Sequence, residues 1–135
     1  MDAQTIAESL HQFTGVHRRF EILGTFDGVT VADDFAHHPT ELTATLTAAM
    51  QMGFREVWAV FQPHTFSRTY MLLDDFAKAL SIPDHAVLSE ILPVREVNTY
   101  HIYARTLLKR FQVACGFQPL RKSATMYFQK RRKGI

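Results

Sequence analysis

Two short apolar runs, Val57-Trp58-Ala59-Val60-Phe61 and residues 85–91, bracket an amphipathic stripe made of Leu72, Leu73, Phe76, Ala77 and Leu80. Five apolar residues without alternation fit a strand buried on both faces, the habit of parallel sheets. The stripe between the runs repeats at three and four residues, the helical period. Pro83 ends it. Two such strands joined by a helix pair in parallel within one sheet.

The alternation extends upstream. Ile6, Leu10 and Phe13 are spaced four and three apart, which predicts a helix over residues 4–13 ended by Gly15. Residues 19–26 read as a strand, Asp27-Gly28 as a two-residue hairpin turn, and residues 29–32 as the return strand. Pro39 suits the first position of a helix, where a missing N–H costs nothing. Leu42, Leu46, Ala49 and Met50 continue that helix, and Gly53 caps it. A third helix is expected to start near Thr99. The whole predicts an α/β fold: a mostly parallel sheet with flanking helices on both faces and an N-terminal β-hairpin.

At 135 residues one domain with a real core is expected. Hydrophobic residues make up 47% and charged residues 21% of the chain. That balance is ordinary for a soluble globular protein and unlike a disordered one. No apolar run reaches the ~18–20 residues that span a bilayer. Met1-Asp2-Ala3-Gln4 lacks the basic and apolar parts of a signal peptide, so a cytoplasmic location and no membrane partner are expected. Cys115 is the single cysteine, which excludes an internal disulfide and a cysteine metal cluster.

Three polar clusters follow the strands, where open parallel sheets bind their ligands. The first is Asp33 to Thr40. It offers two carboxylates, His37, His38 and a helix N-terminus, which attracts anions. Asp34 could accept from ribose hydroxyls or support a Mg²⁺ shell, and His37 could donate to a phosphate or carboxylate. Equally, Asp33 or His38 could simply cap the helix. Zinc is less favoured, because adjacent histidines point different ways and no distant third ligand is evident. The second cluster is Gln62 to Arg68. His64 and Arg68 lie four apart and share a helix face. The planar fork of an arginine matches a carboxylate. The plainer alternative is a surface ion pair for Arg68 and a capping role for His64. The third cluster is Pro93 to Glu96. There Arg95 could meet an anion or pair with Glu90 or Glu96. No phosphate loop, dinucleotide fingerprint or nucleophile elbow is present, so the chain has no self-contained catalytic machinery.

These segments, in this order, resemble the Mur ligase family of peptidoglycan synthesis. Asp33-Asp34-Phe35-Ala36-His37-His38-Pro39-Thr40-Glu41 resembles the family's D-D-[YF]-[AG]-H-H-P-T-E segment. Phe61-Gln62-Pro63-His64-Thr65-Phe66-Ser67-Arg68 resembles F-Q-P-H-x-[YF]-S-R, the form of the L-alanine-adding branch. Gly15-Val16-His17-Arg18-Arg19-Phe20 and Leu92-Pro93-Val94-Arg95-Glu96 resemble two further family segments. The resemblance implies a Rossmann-like C-terminal domain over residues 1–104, inactive alone. In the whole enzyme an N-terminal UDP-sugar domain and a central ATPase domain would act with it. That enzyme uses ATP and Mg²⁺ to activate the UDP-N-acetylmuramate carboxylate, which L-alanine then attacks. The resemblance puts Asp34, His37 and His38 toward the nucleotide and His64, Arg68 and Arg95 toward the amino acid. No metal site is expected in this chain itself. The sister ligase that recycles murein tripeptide shares the first segment but not the second.

Charge changes sharply along the chain. Residues 1–104 hold 6 Lys/Arg against 13 Asp/Glu, and residues 105–135 hold 9 Lys/Arg and no acid. After Ala104 the likeness to the family stops. Residues 105–135 are therefore expected to be a divergent basic tail from a shifted reading frame. A polyanion-binding arm is the functional alternative. A stand-alone nucleotide- or amino-acid-binding module and a nucleic-acid-binding α/β protein are the other classes to separate.

Overall fold

A computed structural model describes residues 2–13 and 15–110, and the backbone of a strand at 126–129. The tail expectation for residues 105–135 falls outside the described residues, apart from 105–110 and that strand. Helix α1, Ala3–Gln12, starts on an Asp2 cap whose carboxylate accepts the Thr5 N–H at 2.8 Å. Such a cap satisfies one of the N–H groups that a helix start leaves without a partner. The helix buries none of its residues, so Ile6 and Leu10 remain exposed.

The hairpin forms as expected from β1, Glu21–Phe26, and β2, Val29–Asp33. Asp27 and Gly28 both have positive φ, 48° and 80°. That is the requirement of the turn whose twist suits a hairpin. The first strand begins at Glu21 rather than at 19, because Arg18 and Phe20 sit in left-handed conformations. Helix α2, Pro39–Gln51, opens on Pro39, and Gly53 follows its end with φ 72°. Both residues suit those positions. Leu42, Leu46 and Ala49 are buried, while Met50 faces outward. Strand β3 is Glu56–Phe61. The helix expected after it is divided at Leu72 into α3, Phe66–Met71, and α4, Leu73–Leu80. Strand β4 is His85–Leu88. The last expected helix is α5, Ala104–Leu108, rather than one from Thr99. Asn98 explains the delay. Its side chain accepts the Ile102 N–H at 3.0 Å and donates to the Ile102 carbonyl at 2.8 Å. These bonds close a turn in place of a helix.

Strand β5, Met126–Gln129, lies between β2 and β3, and the sheet order is β1-β2-β5-β3-β4. Both neighbours run antiparallel to β5, and β3 pairs with β4 in parallel. It follows that β2, β3 and β4 all point the same way, as the strand–helix alternation requires. β5 interrupts them, so only one of the four pairings is parallel in its hydrogen bonds. The ends of β2, β3 and β4 share one edge, and the three polar clusters follow those ends.

One face of the sheet carries the core. Val57, Ala59 and Phe61 of β3 and Ala86 and Leu88 of β4 pack with Leu42, Leu46, Phe76, Leu80 and Leu107. Helices α2, α4 and α5 therefore lie on that same face. On the other face Trp58 packs against His85 with the rings tilted and their centroids 4.1 Å apart. Packing continues past Ala104, since Leu107 is fully buried. Phe76 is also fully buried, with its ring 5.5 Å from that of Phe61. Phe76→Ala is expected to lower the unfolding free energy by about 3–5 kcal/mol, the cost of a large buried cavity. A urea titration measures this, and a loss within the ~0.5 kcal/mol of surface substitutions would place Phe76 outside the core.

Candidate functional site

The first cluster is built on Asp34. This buried carboxylate accepts the Phe20 N–H on one oxygen and the Ala36 N–H on the other, each at 2.7 Å. The bond to Phe20 ties the end of β2 to the segment that precedes β1. A second tie runs back, because Phe35 donates its N–H to the Arg18 carbonyl at 2.9 Å. Arg18 also donates from Nε to Asp33 at 3.1 Å and lies 4.7 Å over the Phe35 ring. Asp33 is thus an ion-pair partner, not a helix cap.

His38 is the cap. Its Nδ1 accepts the Thr40 N–H at 3.3 Å, and the Glu41 carboxylate reaches back to the His38 N–H at 3.2 Å. The two bonds together make a capping box. Glu41 also takes the His37 N–H at 3.1 Å, and that bond is the main reason its carboxyl is held below the usual range. The plainer reading of His38 as a capping residue therefore describes its side chain. His37 is placed differently. Its Nδ1 is 2.9 Å from the Phe35 carbonyl. A carbonyl only accepts, so the proton sits on Nδ1 in the neutral ring and Nε2 is an acceptor.

The second cluster arrives at the same place. The His64 ring lies 6.3 Å from His37, close to parallel at 24°, and 6.3 Å edge-on from Phe35. Burial is the largest effect lowering the His64 pKa below its ordinary 6.5, followed by the nearby His37, Arg68 and Arg18. Both effects disfavour the charged ring. Thr65 caps α3 through its Oγ1, which accepts the Arg68 N–H at 3.4 Å, so His64 does not cap. Arg68 is half-buried on α3, and the ion pairs among the described residues do not include it.

The third cluster joins through Glu96, whose carboxylate accepts from both the backbone N–H and the hydroxyl of Ser67. Arg95 is exposed on the same turn. Sequence reasoning did not find Arg18, Phe35 or Glu96 as site builders. The spacing of the leading Gly15-Val16-His17-Arg18 segment gave no sign that it folds back onto the end of β2.

The arrangement gathers two imidazoles, one face of Phe35 and the cations Arg18 and Arg68 at one sheet edge. It suits a small anionic ligand. A divalent metal fits poorly. Both oxygens of Asp34 already hold N–H groups, Asp33 pairs with Arg18, and no group of three ligating side chains occurs among the described residues.

UDP-N-acetylmuramate–L-alanine ligase from Clostridium novyi is 54% identical over 95 residues, covering 70% of this chain and 21% of the relative. The enzyme of that name from Lachnospira eligens is 47% identical over 112 residues, covering 83% and 24%. The chain thus spans about a quarter of the length of these relatives. Among solved structures, UDP-N-acetylmuramate–alanine ligase from Thermotoga maritima superposes with a TM-score of 0.63 at 30% identity. The overlap covers 89% of this chain and 25% of that one. A murein peptide ligase from Psychrobacter arcticus gives 0.53 at 33% identity, over 64% and 18%. Residues 18–133 match the family model described as Mur ligase, glutamate ligase domain, and the chain therefore belongs to the Mur ligase family.

Proposed function

We propose that this chain is the amino-acid-binding C-terminal domain of a cytoplasmic ATP-dependent ligase that joins L-alanine to UDP-N-acetylmuramate. The observation that carries the reading is the meeting of His37 with His64 at one sheet edge, with Arg68 on the adjoining helix. Arg68 holds the alanine carboxylate through its fork. His64, kept neutral at pH 7 by burial and the nearby cations, adds no further charge beside Arg68. It can accept a hydrogen bond from the alanine amino group. Arg95 stands at the rim as a second attraction for anions. The first cluster faces the nucleotide: Arg18 and His37 supply polar contact, while Asp34 and His38 hold the segment in place.

The remaining chain of such an enzyme supplies the phosphate-binding machinery, the UDP-sugar site and the Mg²⁺ that accompanies ATP. In the reaction the alanine nitrogen attacks an activated carbonyl, an amide bond forms and phosphate leaves. This domain contributes orientation and electrostatics, which such two-substrate steps need.

The test is complementation. The chain is mixed with the separately produced N-terminal and central domains of an L-alanine-adding ligase, and phosphate release is followed with UDP-N-acetylmuramate and ATP. Alanine-dependent turnover is expected. Removing one partner of a hydrogen-bonded charge pair costs about 2–5 kcal/mol. Arg68→Ala should therefore lower kcat/KM for alanine by about 30-fold or more. Turnover with a murein peptide in place of alanine would assign the chain to the ligase type of the Psychrobacter arcticus structure. A folded chain without turnover would indicate a stand-alone binding module.

The pH dependence of His64 supplies a separate check. Its folded pKa lies below 6.5, so the unfolded chain takes up a proton first as pH falls. The contribution to stability is complete above pH 6.5 and is lost as pH drops from there through the folded pKa. A proton NMR titration of the His64 ring is expected to show a midpoint below 6.5, moving upward in Arg68→Ala as one nearby cation is removed. A wild-type midpoint at or above 6.5 would contradict the burial argument.

A further inference from the structure

Ser67, the residue before Arg68, is held by a contact outside its own cluster. Glu96 accepts the Ser67 N–H at 2.9 Å and the Ser67 hydroxyl at 2.5 Å. That N–H belongs to the first turn of α3, where backbone donors have no helical partner. The bonds from Ser67 are also what chiefly hold the Glu96 carboxyl below its usual range. The backbone on each side of this contact is strained. Thr65 has φ 64° and Val94 has φ 57°. Left-handed backbone is a genuine outlier for a β-branched residue. It persists where surrounding contacts over-determine it, and such positions gather at ligand clamps.

The surrounding contacts are present on both sides. Thr65 donates its N–H to the Leu92 carbonyl at 3.0 Å. The Thr65 carbonyl accepts the hydroxyl of fully buried Thr69 at 2.7 Å. His64 bridges Leu92 in parallel register, and the Glu96 N–H closes a turn on the Pro93 carbonyl at 2.9 Å. Two strained β-branched positions thus flank one carboxylate, which grips the residue next to Arg68.

We propose that Glu96 is a positioning residue: by clamping Ser67 it fixes the first turn of α3, and with it the direction in which Arg68 meets a ligand carboxylate. This rests on the reading of His64 and Arg68 as the amino-acid site. Glu96 itself touches no ligand. Its effect arises because a misplacement of about 1 Å at a clamp costs roughly 10²-fold in rate.

The test uses the full 135-residue chain and two NMR readouts. The first is ¹⁵N relaxation of the Arg68 Nε–H group without ligand. It is expected to report an ordered side chain in the wild type and a mobile one in Glu96→Ala, with Glu96→Gln between them. The second is titration with L-alanine, followed at Arg68 and His64. Loss of hydrogen bonds to a charged group should weaken binding about tenfold or more in Glu96→Ala. Ser67→Ala removes only the hydroxyl bond, so its effect should be smaller. Combined with Glu96→Ala it should add nothing further, the sign of a shared interaction. Equal order of Arg68 in the wild type and Glu96→Ala would overturn the proposal, as would unchanged alanine affinity. If the wild-type chain does not bind alanine, the ligand reading fails. The relaxation measurement then decides the positioning claim by itself.

Discussion

Both oxygens of Asp34 are engaged by backbone N–H groups, and the candidate site hangs from that pair of bonds. One bond turns the chain after β2 toward α2. The other pulls in Phe20, fourteen residues upstream, together with Arg18. Arg18 and Phe20 both take left-handed conformations to allow this. Each such residue costs about 1–2 kcal/mol. Hydrogen bonds to a charged group contribute about 1.5–3 kcal/mol each. The carboxylate bonds are therefore enough to hold the strained segment, with the Phe35 N–H to Arg18 carbonyl bond adding to them. The Arg18–Asp33 ion pair then helps to keep the Arg18 guanidinium over Phe35.

A matching arrangement appears on the other side. Leu92 holds a strained Thr65 and Glu96 grips Ser67 two residues on, as Asp34 holds a strained Phe20. Four of the six non-glycine residues with positive φ among the described ones, Arg18, Phe20, Thr65 and Val94, flank the site. Rigid elements carry each half: α2 is fixed by its capping box, and α3 by Thr65. The sheet then sets the halves against each other, since β2 and β3 run the same way and end on one edge. The geometry of the candidate site thus rests on backbone anchors.

Much of this was legible in the sequence. The hairpin was readable because Asp27-Gly28 allows few alternatives, and α2 because Pro39 and Gly53 mark its ends. The coming together of the clusters followed from strand direction alone. The role of Asp34 was not legible, because a carboxylate near two histidines reads as a ligand until its backbone partners are seen. Arg18 was hidden because the spacing of residues 15–18 gives no sign that the segment folds back onto the end of β2. The break at Leu72 leaves no mark in a stripe of apolar residues, and Asn98 delays a helix through a contact four residues away. The central place of β5 could not be read from four residues within a basic segment. Its insertion turns a nominally parallel sheet into one with a single parallel pair.

The measurement that bears most directly on this account is the ring-to-ring nuclear Overhauser contact between His37 and His64, taken in the wild type and in Asp34→Asn. The substitution places an amide donor where a backbone donor already stands, while changing the side chain's size very little. The contact is expected in the wild type, and its loss is expected in the variant, with far-UV circular dichroism unchanged. Persistence of the contact at full strength in Asp34→Asn would show that the two halves of the site meet without this anchor, contrary to the account.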